Sequence, residues 1–255
     1  MKALTEVIEE IALQVRKGPI NTAFSGTTLC CGITAGEHLY VANVGDSRAI
    51  LGYNLRLENH KPIVQTLELT EDHKPTNPGE YDRIIASNGR VATLPGPPNT
   101  DCGPMRVWMK QLDVPGLAMS RSIGDDIAAS VGVIATPDVR CFNLRDLGAN
   151  FAVFATDGVF EFLSSEYVSG LIAKRVNHIE KAASKLVKDA VSSWRRSEDV
   201  VDDITAVIAV LKVPDEVVDA LSEREGQLQA LHNQHGSRAP RRPDGHSSLS
   251  NGPSG

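Results

Sequence analysis

The chain has 255 residues, 41% of them hydrophobic and 23% charged, with a net charge of -6. That length carries one domain with a large core, or two small ones. The acidic balance argues against nucleic acid as the main partner, and no apolar run approaches the roughly 20 residues of a membrane span.

In residues 2–16, Leu4, Val7, Ile8, Ile11, Ala12 and Val15 fall on one helix face, and Gly18-Pro19 ends the helix. A strand over Leu29–Thr34 follows Ser25-Gly26-Thr27-Thr28 and leads into a turn at Gly36. His38–Val44 and Ser47–Leu51 read as a hairpin around Gly45-Asp46, with Asp46 as a turn residue, and Ile63–Leu69 reads as a third strand. Asn77-Pro78-Gly79-Glu80 has the form of a capped helix start, and Gly89 stops that helix. Residues 92–116 hold five prolines and three glycines and read as one long loop. Within it, Arg106, Trp108 and Lys110 suit either a grip on an acidic phosphoprotein or a solvated loop anchored by one Trp.

Val139–Leu144 reads as a strand, and Phe151–Ala155 as a buried one. Ser165 reads as the cap of a helix over 166–176, and Ile179–Trp194 as a second helix. A strand at 204–211 closes the globular part, Pro214 to about His235 forms a solvated helix, and 236–255 has the composition of a disordered tail. Strands preceding a helix pair give an α+β class with mainly antiparallel pairing. Four cysteines without metal-ligand spacing, Cys30, Cys31, Cys102 and Cys141, read as reduced thiols of a cytoplasmic or nuclear protein.

The chemistry concentrates where the apolar run Phe151–Ala155 meets Thr156-Asp157-Gly158. A carboxylate at the tip of a rigid strand is well placed to hold a hard cation, and glycine lets backbone or metal come close. A second acidic tip, Asp202-Asp203, runs into the strand at 204–211. Two acidic strand ends suggest a carboxylate metal site. His73 reads as a structural hydrogen-bonder, and Arg121 and Asp125 as scaffold residues near the site.

Seven blocks in order carry a family resemblance: Ser25-Gly26-Thr27-Thr28, Leu39–Ala49 with Val44-Gly45-Asp46-Ser47, Leu69-Thr70-Glu71-Asp72-His73-Lys74-Pro75, Leu117–Asp125, Gly132–Ala135, Ala155–Glu161 and Asp202-Asp203-Ile204-Thr205. The series resembles the metal-dependent protein serine/threonine phosphatases of type 2C, the PPM family, over roughly residues 20–211. The resemblance implies a four-layer α-β-β-α sandwich, in which helices flank two antiparallel sheets. It implies a monomer that hydrolyses phosphoserine and phosphothreonine in phosphoprotein substrates, with two Mg²⁺ or Mn²⁺ ions activating a water. Carried over by position, Asp157 and Asp202 match two metal ligands, and Asp72 matches an acid near a third, weaker metal. Residues 92–116 fall at the family's variable flap. Glu161 stands where many members have aspartate, and Asp203 replaces a common asparagine.

The family's Asp-Gly-His-Gly block, which supplies a bridging aspartate, does not occur in these residues. The triplet Asp244-Gly245-His246 lies in the tail and reads as chance. The expectation is therefore a phosphatase domain over 1–213 without its N-terminal metal-binding block and strands, a C-terminal helix at 214–235 and a tail at 236–255. Such a chain is expected to be a weak or inactive catalyst. The alternative is a pseudophosphatase, a binding or regulatory module that keeps the fold without the chemistry.

Overall fold

The computed structural model describes residues 1–97 and 103–236, with side chains described through residue 229. The expected disordered tail past Gly236, with its His246 triplet, and the middle of the flap lie outside the described residues. The first half contains α1 (Lys2–Lys17), β1 (Gly26–Thr27), β2 (Leu29–Ala35), β3 (His38–Val44), β4 (Arg48–Glu58), β5 (Lys61–Glu68), α2 (Pro78–Ala86), β6 (Gly89–Ala92), β7 (Arg106–Met109), β8 (Pro115–Leu117) and β9 (Ile123–Gly124). The second half contains α3 (Asp126–Ala129), β10 (Asp138–Asn143), β11 (Ala149–Ala155), α4 (Asp157–Phe160), α5 (Ser165–Ala173), α6 (Ile179–Ser197), β12 (Ala206–Val210) and α7 (Asp215–Gly236).

Two antiparallel sheets dominate, one ordered β10-β3-β2 and the other β12-β11-β4-β5. The period-2 alternation of strand side chains builds the layers. On β3, Leu39 and Val41 face inward and join Ala49, Leu51 and Ala152 of the other sheet in an inter-sheet core. The alternate residues Ala42 and Val44 face outward, where Ile8 and Val15 of α1 cover them. On β11, Phe151, Val153 and Ala155 face outward, packing against Val168, Ile172, Ala182, Leu186 and Ala190 of α5 and α6. The order is thus helix, sheet, sheet, helices, the α-β-β-α sandwich expected above. Full burial of side chains such as Phe151 and Leu186 is worth about 1.5–3 kcal/mol each. Among the described residues no helix is long and apolar enough to cross a membrane.

Several local expectations change. His38–Val44 and the strand after Ser47 are not a hairpin, because β3 and β4 belong to different sheets. Gly45, with φ of +98°, turns the chain from one sheet to the other, and its N–H donates to His73 Nδ1 at 3.0 Å. Within these two sheets the hairpins are β2–β3 and β4–β5. The latter turns at Asn59 and His60, both with positive φ as its tight turn requires.

The long proline-rich loop contains β7 and β8, which pair with β6 in a small sheet. There Trp108 Nε1 donates to the Ala92 carbonyl and an Arg106 Nη donates to the Gly116 carbonyl. Both side chains hold the flap together. The cap of α5 is Ser164, which accepts from Tyr167 N, while Ser165 donates to Glu68. Asn77 does not cap α2 with its side chain but donates to the Asp72 carbonyl.

Candidate metal centre

β11 and β12 pair with Ala155 opposite Ala206, so Asp157, just past the end of β11, and Asp202, in the loop before β12, emerge at one end of the sheet; the expected strand at 204–211 begins only at Ala206. Thr156 clamps them. Its N–H donates to the Thr205 carbonyl at 3.0 Å, and its hydroxyl donates to the Asp203 carbonyl while accepting from Thr205 N, both at 3.2 Å. Gly158 completes the contact. A Cβ there would stand 2.3 Å from the Asp203 carbonyl oxygen, so only glycine lets the two backbones meet. Asp202 Oδ1 accepts from Asp203 N at 2.7 Å, which orients its carboxylate.

Asp157 and Asp202 line a cleft of about 1080 Å³ together with Asp46, Lys74 and Glu161. The flap residues Leu94 and Met105 form its apolar side. Asp46 is buried and accepts from Lys74 Nζ at 2.6 Å. Burial, then the neighbouring Asp46 and Asp202 charges, pushes the Asp157 carboxyl up to about 6. Burial pulls the Lys74 ammonium down, but Asp46 outweighs it and the net shift is upward. The cleft lining sets Lys74, drawn to Asp46, and Arg106, whose Nη donates to the Gly116 carbonyl, against Asp46, Asp157, Asp202, Glu161 and Glu198. The corner is short of positive charge.

Hard carboxylate oxygens without thiolate or imidazole suit Mg²⁺, Mn²⁺ or Ca²⁺. Asp157 and Asp202 fit part of such a shell. Among the described residues no three His, Cys, Asp or Glu side chains converge closely enough to form a site by themselves. Asp72 is not brought into the cleft lining. Arg48 forks its carboxylate, with Nε on Oδ1 at 3.0 Å and Nη2 on Oδ2 at 2.8 Å, and the same guanidinium lies 4.9 Å over the Phe160 ring.

Sequence reasoning took Asp46 for a turn residue. Its place in the block Val44-Gly45-Asp46-Ser47 was the available signal. Its pairing with Lys74 joins loops far apart in the chain and has no local signature.

A second cluster surrounds Glu80. This buried carboxylate accepts from both terminal nitrogens of Arg83 (2.9 and 2.6 Å), from Arg121 Nη2 at 2.8 Å and from Ser120 Oγ at 2.6 Å. Burial opposes ionisation, but these donors win and hold the Glu80 carboxyl far below the usual range. Arg121 continues to Asp138 Oδ1 at 2.8 Å. His73 accepts from Gly45 N at Nδ1, so Nε2 carries the proton and donates to Asp138 at 3.2 Å. The expected structural role of His73 and scaffold role of Arg121 are borne out by this network.

The family model for protein phosphatase 2C matches residues 3–199, so Asp157 lies inside the matched span and Asp202 just beyond it. Probable protein phosphatase 2C 73 of Oryza sativa subsp. japonica is 40% identical over 197 residues, covering 76% of this chain and 44% of the relative. Probable protein phosphatase 2C 12 of the same plant is 42% identical, covering 75% of this chain and 47% of the relative. The crystal structure of a serine-threonine phosphatase 2C from Toxoplasma gondii superposes with a TM-score of 0.65 at 22% identity, covering 83% of this chain and 65% of that one. A C. elegans sex determining protein superposes with a TM-score of 0.60 at 16% identity, covering 86% and 47%. At these identities the two structures bear on the fold. The chain spans about half the length of the curated relatives it matches.

Proposed function

From its membership of the protein phosphatase 2C family, to which this chain belongs, we propose that the chain serves in hydrolysis of phosphoserine and phosphothreonine in phosphoproteins. The Asp157–Asp202 corner is its part of a Mg²⁺ or Mn²⁺ site. The observation that carries this reading is the charge deficit of the cleft, where Asp46, Asp157, Asp202, Glu161 and Glu198 face Lys74 and Arg106, and Lys74 is drawn to Asp46. Asp157 and Asp202 would hold the divalent cation, which would supply Lewis-acid activation of a water for attack on phosphorus.

The chain's own residues do the positioning. Thr156 and Gly158 fix the separation of the two carboxylates. Lys74 holds Asp46 in place. Leu94 and Met105 give the substrate-facing wall an apolar side. We assign Asp72 to the scaffold rather than to a weaker metal, because Arg48 occupies both its oxygens.

A hard cation of this kind takes about six oxygen ligands, and two carboxylates supply only a fraction of them. These 255 residues by themselves are therefore expected to turn over weakly or not at all. A reducing compartment, cytoplasm or nucleus, suits the free thiols of Cys30, Cys31 and Cys141. The test is Mn²⁺-dependent release of phosphate from a phosphothreonine peptide, in a form of the protein that has measurable turnover. Asp157→Asn is expected to abolish it. Unchanged turnover would remove Asp157 from the site.

A further inference from the structure

We propose that Trp194 is a positioning residue of the metal corner, holding the Asp157 and Asp202 segments in register. This rests on the reading of that corner as a cation site. Trp194 lies near the C-terminal end of α6 and its ring lines the same cleft as Asp157 and Asp202. Its indole Nε1 donates to the Gly158 carbonyl at 2.7 Å. Gly158 directly follows Asp157, and its Cα packs against the backbone of Asp203, which directly follows Asp202.

One side chain therefore joins three things: the strand tip bearing Asp157, the loop bearing Asp202, and the helix that leads into that loop. The carbonyl it satisfies belongs to the one-turn α4, whose C=O groups must find donors beyond the helix; those of Asp157 and Val159 accept from Glu161 N and Leu163 N, and that of Gly158 accepts from Trp194. Phe162, just past α4, meets the indole edge to face, with ring centroids 4.8 Å apart and planes at 90°. The ring is thus fixed from one side, and its single N–H is aimed at the backbone just after Asp157, where Gly158 meets Asp203.

Residues that orient metal ligands without touching the ion affect affinity when lost, commonly by about 10–100-fold. Trp194 acts on the backbone rather than on a carboxylate, so the low end applies. A role limited to packing would lower the melting temperature and leave cation affinity alone.

Mn²⁺ binding to the 255-residue chain, followed by calorimetric titration, separates the two. Trp194→Phe keeps an aromatic ring and loses the N–H. It is expected to bind Mn²⁺ about tenfold more weakly. Phe162→Leu, which keeps the N–H, should stay within about twofold of wild type while melting lower. Wild-type affinity in a folded Trp194→Phe protein overturns the proposal. If that variant does not fold, benzothienylalanine at position 194 preserves the ring shape without the N–H, and the same criterion applies. If wild type and Asp157→Asn fail alike to bind Mn²⁺, the cation reading itself is overturned, and the positioning role with it. Binding lost only in Asp157→Asn, with Trp194→Phe intact, overturns the positioning role alone.

Discussion

The Glu80 cluster and the Asp157 corner are built from the same residue types and are wired in opposite ways. Around Glu80, Arg83, Arg121 and Ser120 supply six hydrogen-bond contacts from five donor atoms to one carboxylate, and its pKa falls although burial opposes this. At the corner, Asp157 has Asp46 and Asp202 as its main charged neighbours, and its pKa rises to about 6. A buried carboxylate with its full set of partners is a strut between elements, here tying α2 to the segments holding Ser120 and Asp138. A carboxylate crowded by others is destabilised in the metal-free protein, and an added cation relieves it. The contrast separates a carboxylate with a full set of donors from one crowded by like charges.

Breaking the strut should have the largest effect. Arg121→Leu leaves part of Glu80 and Asp138 unpaired and should cost about 3 kcal/mol, read from urea unfolding, with Mn²⁺ affinity little changed. A loss under about 1 kcal/mol would show that the cluster carries little. Gly158→Ala attacks the corner's backbone. The new Cβ meets the Asp203 carbonyl at 2.3 Å, which should cost about 2 kcal/mol and also weaken Mn²⁺ binding, because the two tips must part.

Asp157→Asn should do the reverse of Arg121→Leu. In EDTA it should stabilise the protein by roughly 1 kcal/mol, since it removes one of three crowded charges. A destabilised variant would contradict the charge-deficit account.

The smallest effect is in acid. His73, followed by Arg121, pulls the Asp138 carboxyl down to about 2 in the fold, against about 3.9 unfolded. Its folded pKa is depressed, so its contribution is fully present above pH about 4 and is lost as pH falls toward 2. The gap in urea midpoint between wild type and Asp138→Asn should therefore close over that window. A gap that persists at pH 2 would show that Asp138 acts by shape alone.

The layers of the sandwich were legible because their signals are local. The apolar run Phe151–Ala155 became β11, buried along nearly its whole length. The periodic Ile179–Trp194 became α6, which runs on to Ser197. Asp157 was legible as a strand tip; Asp202 lies in the loop before β12, which starts only at Ala206 and pairs with β11. What stayed hidden depends on distant partners. Nothing near Gly45 shows that β3 and β4 enter different sheets. Asp46 gains its place only through Lys74, and Asp72 is withdrawn only by Arg48, 24 positions earlier. The strands β7 and β8 inside the flap exist because β6 offers them an edge, which proline and glycine content conceals.

The most direct test of the central claim is a calorimetric Mn²⁺ titration of three proteins: wild type, Asp157→Asn and Asp72→Asn. The account predicts binding by wild type and by Asp72→Asn with similar affinity, and loss of binding in Asp157→Asn. Wild-type affinity in Asp157→Asn, or loss confined to Asp72→Asn, would contradict it.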